Sequence, residues 1–320
     1  MTRSVAVVGA GAWGTALAIH AARTGAAVSL WARDPAAVLD PGRRPRRLPG
    51  TILPEAVDLS GTLPRRADAI LLAVPTQHLR AVAAAMDPES PLVSCCKGLE
   101  RDTLLLPSEI LAALHPGLPR AALSGPNFAG EVAAGLPAAA VLAASRLDDA
   151  RALAALLSTD GFRCYAGDDP AGVEAGGAIK NVLAIAAGAA IGAGYGENAR
   201  AALVTRGLAE LSRFAAALGG RRDTAAGLSG LGDLLLTCTG PASRNFTLGV
   251  ELGRGRPLAD ILATGTGVAE GVFTAASLRV RARRLGVPTP ICDTVDDLLR
   301  GAITLDAARA ALLSRPLGEE

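Results

Sequence analysis

Of the 32 lysine and arginine side chains in this sequence only two are lysine, Lys97 and Lys180. Arginine does not usefully give up its proton, whereas a partly buried lysine shifts its pKa and exchanges one. Lys180 lies in Gly176-Gly177-Ala178-Ile179-Lys180-Asn181, an apolar run of small residues where an idle ammonium would be costly. The chemistry it offers is proton transfer. Further on, Gly230-Leu231-Gly232-Asp233 flanks a carboxylate with glycines that let the backbone bend and aim it. Ser243-Arg244-Asn245 then supplies a bidentate cation with hydroxyl and amide beside it, a set suited to phosphate. Alone, Arg244 would read as a salt bridge at a helix start. Beside Asp233 and Lys180 it becomes part of a candidate site.

These groups need a scaffold, and the N-terminal sequence supplies one. Ser4–Val8 is a short β-branched apolar run that predicts a buried strand. It runs into Gly9-Ala10-Gly11-Ala12-Trp13-Gly14, a GxGxxG match, then a helix over Ala12–Arg23 and a second strand over Ala27–Ala32. In such a unit Gly9 permits the tight turn and Gly11 the approach of a pyrophosphate. Gly14 permits close packing of helix on strand, and the helix N-terminus faces the anion. Arg33 follows the second strand where an acid would hold a ribose hydroxyl, and it could instead face a 2′-phosphate. Asp34, one position late and followed by Pro35, reads as a turn cap. The arginines from Arg43 to Arg47 read mostly as a solvated loop.

Further strands are expected at Ala69–Val74, Leu92–Cys96, Ala121–Ser124, Ala138–Ala143 and Phe162–Ala166, alternating with helices at Leu79–Met86, Leu104–Leu114, from Ala129 and at Leu147–Leu157. Lys97 comes directly after a strand, on the rim where a doubly wound sheet binds ligands. Beyond residues 168–172 the strand signal stops and the chain reads as helices: Val173–Gly194, Arg200–Ala217, a stretch around Thr224–Thr237, Arg244–Gly253, Leu258–Ala263, Val268–Leu285, Thr294–Arg300 and Leu305–Leu312. The expected fold class is therefore α/β, a Rossmann-like dinucleotide-binding domain over 1–169 followed by an all-helical substrate domain over 170–320.

Composition narrows the function classes. A net charge of +2 gives no global attraction to nucleic acid or to an anionic membrane. Five cysteines without CxxC or zinc-ligand spacing point to free thiols in a reducing cytoplasm, and three histidines without HExxH argue against a bound metal. The apolar run Val182–Gly194 is short of the ~18–20 residues that span a bilayer, so a packed central helix is expected.

Taken together, these residues resemble the bacterial-type NAD(P)-dependent glycerol-3-phosphate dehydrogenases over essentially the whole chain. The resemblance is carried by the Gly9–Ala18 segment, Lys97-Gly98-Leu99-Glu100, Ser124-Gly125-Pro126-Asn127-Phe128-Ala129, Gly176–Asn181, Gly230–Leu234, Ser243-Arg244-Asn245 and Glu270-Gly271. It implies reversible hydride transfer between NAD(P)H and C2 of dihydroxyacetone phosphate, giving sn-glycerol 3-phosphate for phospholipid synthesis. It implies Lys180 as general acid/base, and Lys97 against both cofactor and substrate. Arg244 and Asn245 would hold the substrate phosphate with Asp233 and Ser243 beside them, and Gly125 and Asn127 would lie by the substrate. Gly9, Gly11, Ala12, Trp13, Gly14, Arg33, Lys97, Ala129, Arg244, Val268 and Glu270 would hold NADP or NAD, with NADP favoured by Arg33. A cytoplasmic homodimer with a phosphorylated small-molecule substrate is the family expectation.

The sequence departs from the family at Ala12, usually serine, at Arg47, usually aromatic, and at Asn127, usually Ser or Thr. The Ser60–Ala67 segment looks too short for the usual helix. Related dehydrogenases of β-hydroxy acids or ketopantoate, and a non-catalytic NADP-binding module, are the alternatives. Asp233 would raise the pKa of Lys180 and burial would lower it; the sequence leaves open which wins.

Overall fold

The computed structural model describes residues 3–263 and 269–314. In its first half the chain alternates strand and helix: β1 (Ser4–Val8), α1 (Ala12–Arg23), β2 (Ala27–Trp31), a short ribbon of β3 (Leu39–Asp40) and β4 (Arg44–Pro45), then β5 (Val57–Ser60), β6 (Ala69–Leu72), α2 (Thr76–Ala84), β7 (Leu92–Ser94), α3 (Pro107–Leu114), β8 (Arg120–Ser124), α4 (Ala129–Ala134), β9 (Ala138–Ala144), α5 (Leu147–Leu157) and β10 (Phe162–Gly167). Eight of these strands form one sheet in the order β10-β9-β8-β7-β6-β1-β2-β5. From β5 to β8 all neighbours are parallel. Counted along the chain, those six strands lie 3-2-1-4-5-6, the order of a dinucleotide-binding sheet, with the switch point between β1 and β6. β9 turns antiparallel to β8, and β10 runs parallel to β9. The α/β expectation is met.

Helices account for the rest: α6 (Pro170–Gly192), α7 (Gly196–Ala217), α8 (Arg222–Ala225), a π-helical turn (Leu228–Gly232), α9 (Asp233–Cys238), α10 (Arg244–Gly253), α11 (Leu258–Ala263), α12 (Glu270–Arg284), α13 (Pro290–Leu299) and α14 (Leu305–Leu313). α6 is the axis of this half, packed against α7, α9, α10, α12 and α13. Its start is fixed by Asp169, whose carboxylate accepts from Gly172 N at 2.9 Å, from Arg221 N at 2.8 Å and from Thr224 Oγ1 at 2.6 Å, with Pro170 set for the first helical turn. α6 and α10 touch backbone to backbone. A Cβ at Gly188 would lie 2.1 Å from Phe246 O, and one at Gly249 would lie 2.2 Å from Ile185 O. Any larger residue there forces the helices apart, because small side chains set the short interaxial distance. With 23 residues, α6 is long and apolar enough to cross a membrane, but 83% of its apolar window is buried inside the protein.

Several boundaries differ from the sequence reading. β6 and β7 end two residues early, at Leu72 and Ser94, so Pro75 and Lys97 stand beyond the sheet on its ligand-facing rim. α3 starts at Pro107 instead of Leu104, because Leu104 adopts a φ of 65° that no helix admits and proline suits the first turn. α6 and α13, by contrast, begin earlier than expected, though each again at a proline. The Thr224–Thr237 stretch is broken into α8, the π-helical turn and α9. The edge strand β5 and the β3–β4 ribbon were not foreseen. β5 is only four residues, one of them fully buried, and its pairing with β2 decides it more than its own pattern does. As the short Ser60–Ala67 segment suggested, no helix joins β5 to β6.

Candidate active site

The turn from β1 into α1 forms a cradle at the switch point. Gly9 has a φ of +116°, which favours glycine, and a Cβ there would sit 2.9 Å from Ala73 O of the neighbouring strand end. A Cβ at Gly14 would lie 1.8 Å from Gly9 O, so only glycine lets α1 rest on the end of β1. Around Gly11 there is open space, where a bulky anion could approach the helix N-terminus. Ala12, Trp13 and Ala129 are half-buried against the core beneath α1 and α4. The Trp13 Nε1 is buried without a hydrogen-bond partner, a donor the protein itself leaves unused. Arg33 is exposed just past the end of β2. Asp34 caps the following turn by accepting from Ala36 N at 3.1 Å. Of the basic loop, Arg43 is tied to the carbonyls of Leu53, Pro54 and Val57, and Arg46 to Asp40, so these two serve structure. Arg47 is exposed. Val268 lies outside the described residues.

Opposite this cradle, one carboxylate joins both lysines. Asp233 Oδ1 accepts from Lys180 Nζ at 2.5 Å, and Oδ2 accepts from Lys97 Nζ at 2.5 Å. The three side chains come from α9, α6 and the segment after β7, so the ion triad ties the sheet to the helical half. Lys97 Nζ also donates to Gly125 O at 3.3 Å. The glycines of the lysine motif explain how the partners come so close. A Cβ at Gly176 would lie 2.3 Å from Ser229 O in the π-helical turn that presents Asp233, and one at Gly177 would meet Lys97 Cγ at 3.3 Å. Gly176 therefore lets the carboxylate in from one side and Gly177 lets the Lys97 stem lie across the helix. Beside them the Ser124 hydroxyl is buried and has no partner.

Electrostatics follow from this burial. The Asp233 side chain is 1% exposed and that of Lys180 9%. Burial pushes Lys180 down to about 8; Asp233 pulls it up and Lys97 adds to the lowering. The question left open by the sequence is thus decided in favour of burial. Burial would raise the Asp233 carboxyl, but the two ammoniums outweigh it and hold it below the ordinary carboxylate range. Thr237, which the sequence reading passed over, completes the setting. Lys180 Nζ donates to Thr237 Oγ1 at 3.0 Å, and that hydroxyl donates to Asp233 O at 2.6 Å. Two of the three ammonium donors are thereby used. The signal was present: Thr237 stands four residues after Asp233, on the same helical face.

The third part of the site is a relay of amides. Asn245 Nδ2 donates to Asn181 Oδ1 at 2.9 Å, and Asn245 Oδ1 accepts from Gly271 N at 3.0 Å. This chain links the residue after Lys180, the residue after Arg244 and the residue after Glu270, which fixes three helix segments to one another. Much of the Asn245 amide is thus spent on the protein. Ser243 caps α10 by accepting from Phe246 N at 3.2 Å, and Arg244, next along, is exposed. Burial lifts the Glu270 carboxyl to about 7, opposed by the nearby Arg244 guanidinium and the Thr76 backbone N–H. Asn127 Nδ2 donates to Ala139 O at 3.1 Å, and its Oδ1 is buried without a partner. The structure therefore gathers Lys97, Gly125, Lys180 and Asp233 tightly, sets Asn127 beside Gly125 and Asn245 against Asn181, the residue after Lys180, and brings Arg244 near Glu270, with Ser243 as the cap of α10. It places Gly9–Gly14 at the switch point and Arg33 at the outer end of β2.

Comparison with known proteins agrees with the fold and gives its family. Residues 4–150 match the family model of the NAD-dependent glycerol-3-phosphate dehydrogenase N-terminus, and residues 169–310 match that of its C-terminus. A glycerol-3-phosphate dehydrogenase [NAD(P)+] of Gluconobacter oxydans is 56% identical over 316 residues, covering 98% of this chain and 97% of that protein. The corresponding protein of Caulobacter vibrioides is 50% identical over 325 residues, with 99% and 98% covered. The crystal structure of glycerol-3-phosphate dehydrogenase from Coxiella burnetii superposes with a TM-score of 0.92 at 35% identity, covering 98% of this chain and 99% of that one. This chain belongs to the NAD(P)-dependent glycerol-3-phosphate dehydrogenase family.

Proposed function

We infer that this chain catalyses reversible hydride transfer between NAD(P)H and C2 of dihydroxyacetone phosphate, yielding sn-glycerol 3-phosphate for phospholipid synthesis. The observation that carries the mechanism is the lysine held by Asp233 and Thr237 with its pKa lowered to about 8. The glycine cradle and the unused Trp13 donor suit a dinucleotide, which supplies or accepts the hydride when bound. In the reducing direction Lys180, as an ammonium, donates a proton to the oxygen on C2. In the oxidising direction the neutral amine takes that proton from the hydroxyl. A positioned group of this kind contributes about 10²–10⁴ in rate. Asp233 and Thr237 aim the Nζ, and Lys97 stands next to it, so a net positive charge faces the site where a phosphate dianion would bind. Arg244, with Ser243 and Asn245 fixing the start of its helix, is the group we assign to the phosphate. Gly125 and Asn127 line the substrate side, and Ala12, Ala129 and Glu270 the cofactor side.

We place the division between the two functional units at residues 169 and 170, where α6 begins. The family models cover residues 4–150 and 169–310, the second beginning one residue before this division. A homodimer in the cytoplasm completes the proposal; five unpaired thiols suit a reducing compartment.

The experiment is oxidation of NADPH and of NADH in parallel with dihydroxyacetone phosphate, and with unphosphorylated dihydroxyacetone as control. Turnover on the phosphorylated ketone alone is expected. Arg33 should favour NADPH, because its guanidinium is exposed where the 2′-phosphate would lie. Losing a charged hydrogen bond in Arg33→Ser is expected to lower kcat/KM for NADPH about tenfold or more, with NADH little changed. Equal losses with both coenzymes would remove Arg33 from the selection.

A further inference from the structure

Glu174 lies on α6, six residues before Lys180, and is buried. Its Oε1 accepts from Ser108 N at 2.9 Å and its Oε2 from Ser108 Oγ at 2.5 Å. Ser108 is the second residue of α3, so the helical half caps a helix of the sheet half, at the end where a carboxyl group is favoured. The next residue, Glu109, is tied in the same way, accepting from Arg281 Nη2 of α12 at 2.7 Å. Burial lifts the Glu174 carboxyl to about 7, and the two Ser108 hydrogen bonds oppose the rise. The link does not depend on charge, since a protonated Glu174 still accepts from Ser108 N and donates to Ser108 Oγ.

What this contact holds in place is Lys97. Between Lys97 and Ser108 the chain closes on itself: Glu100 N donates to Leu105 O at 3.0 Å, and Leu104 N to Glu100 O at 3.0 Å. The two ends of that loop, Leu99 and Leu106, are buried in the core of the helical half, not in that of the sheet. Arg80 of α2 braces the loop by donating to Glu100 Oε2 at 2.7 Å. Three residues after Glu174, on the same face of α6, Gly177 receives the Lys97 stem. On the reading that Lys97 belongs to the reaction site, we propose that Glu174 is a positioning residue for it. By holding Ser108, Glu174 fixes the closed loop on α6 and so sets Lys97 against Asp233.

The test measures kcat/KM for dihydroxyacetone phosphate with NADPH in Glu174→Ala, Glu174→Gln, Lys97→Ala and the double variant of Glu174→Ala with Lys97→Ala, folding being checked by circular dichroism. Glu174→Ala is expected to lose between about tenfold and about 10²-fold, the cost of a small misplacement set from a distance. Glu174→Gln should recover most of that loss, because its amide accepts from Ser108 N and donates to Ser108 Oγ in the same shape. In the double variant the Glu174 effect should vanish and leave the rate of Lys97→Ala alone, since a residue that acts through Lys97 has nothing left to place. If Glu174→Ala does not fold, Ser108→Ala, which removes only a hydroxyl, stands in for it. Its loss should be about threefold or more, and should also vanish without Lys97. Losses that multiply in the double variant, or the full rate in a folded Glu174→Ala or its stand-in, would overturn the proposal while leaving Lys97 in the site. The full rate in Lys97→Ala would instead remove Lys97 from the site, and with it the role given to Glu174.

Discussion

Lys180→Ala is expected to lower kcat for reduction of dihydroxyacetone phosphate by about 10²–10⁴, the range of a lost general acid, while dinucleotide binding stays within a few-fold of the parent. The split follows from placement. Lys180 lies on α6 in the helical half, whereas the glycine cradle lies at the β1–α1 turn. Folding should survive, because removing an ammonium that burial has already pushed down to about 8 leaves Asp233 with Lys97 as its partner at 2.5 Å. Single-turnover kinetics with a fluorescence titration of NADPH would check both halves. Undiminished kcat would remove Lys180 from the proton transfer; loss of cofactor binding as well would show a structural role instead.

Asp233→Asn should be nearly as severe, for a different reason. The carboxylate holds two ammoniums through separate oxygens, and a neutral amide cannot balance either. Breaking a buried ion pair by removing one partner commonly costs about 3–5 kcal/mol, which here is softened because Lys180 can shed its proton. The sign on activity can be stated. Asp233 raises the Lys180 pKa, so its loss drives that pKa below about 8 and leaves less ammonium at neutral pH. Reduction should therefore suffer more than oxidation in the variant, and the alkaline limb of the reduction profile should move toward lower pH. A limb that stays in place would mean that Asp233 does not set the charge state of Lys180.

Much of this was legible in the sequence where local chemistry and global fold agree. β1, α1, α5, α10 and α11 occur with the expected bounds, because each has an unmixed pattern with glycine, proline or a polar cap at its ends. The lysine bias led to both lysines, and the glycines beside Asp233 to the carboxylate that joins them. What stayed hidden depends on contacts across the chain. β5 is a strand because β2 offers it an edge, and the break at Leu228–Gly232 exists because Gly176 lets Ser229 press against α6. The Asn181–Asn245–Gly271 relay joins residues 64 and 26 positions apart, which no local pattern reports. Thr237 was missed although its spacing from Asp233 was in view. The balance of burial against Asp233 at Lys180 needed the burial itself.

The measurement that tests the central claim most directly is the pH dependence of kcat/KM in both directions on the unaltered enzyme. Lys180 must be protonated to reduce the ketone and neutral to oxidise the alcohol, and its pKa is about 8. Reduction should therefore fall, and oxidation rise, through a shared midpoint near that value, since kcat/KM reports the ionisations of the free enzyme. Profiles that stay flat between about pH 7 and about pH 9, or that move in the same sense in both directions, would contradict Lys180 as the acid and base of this reaction.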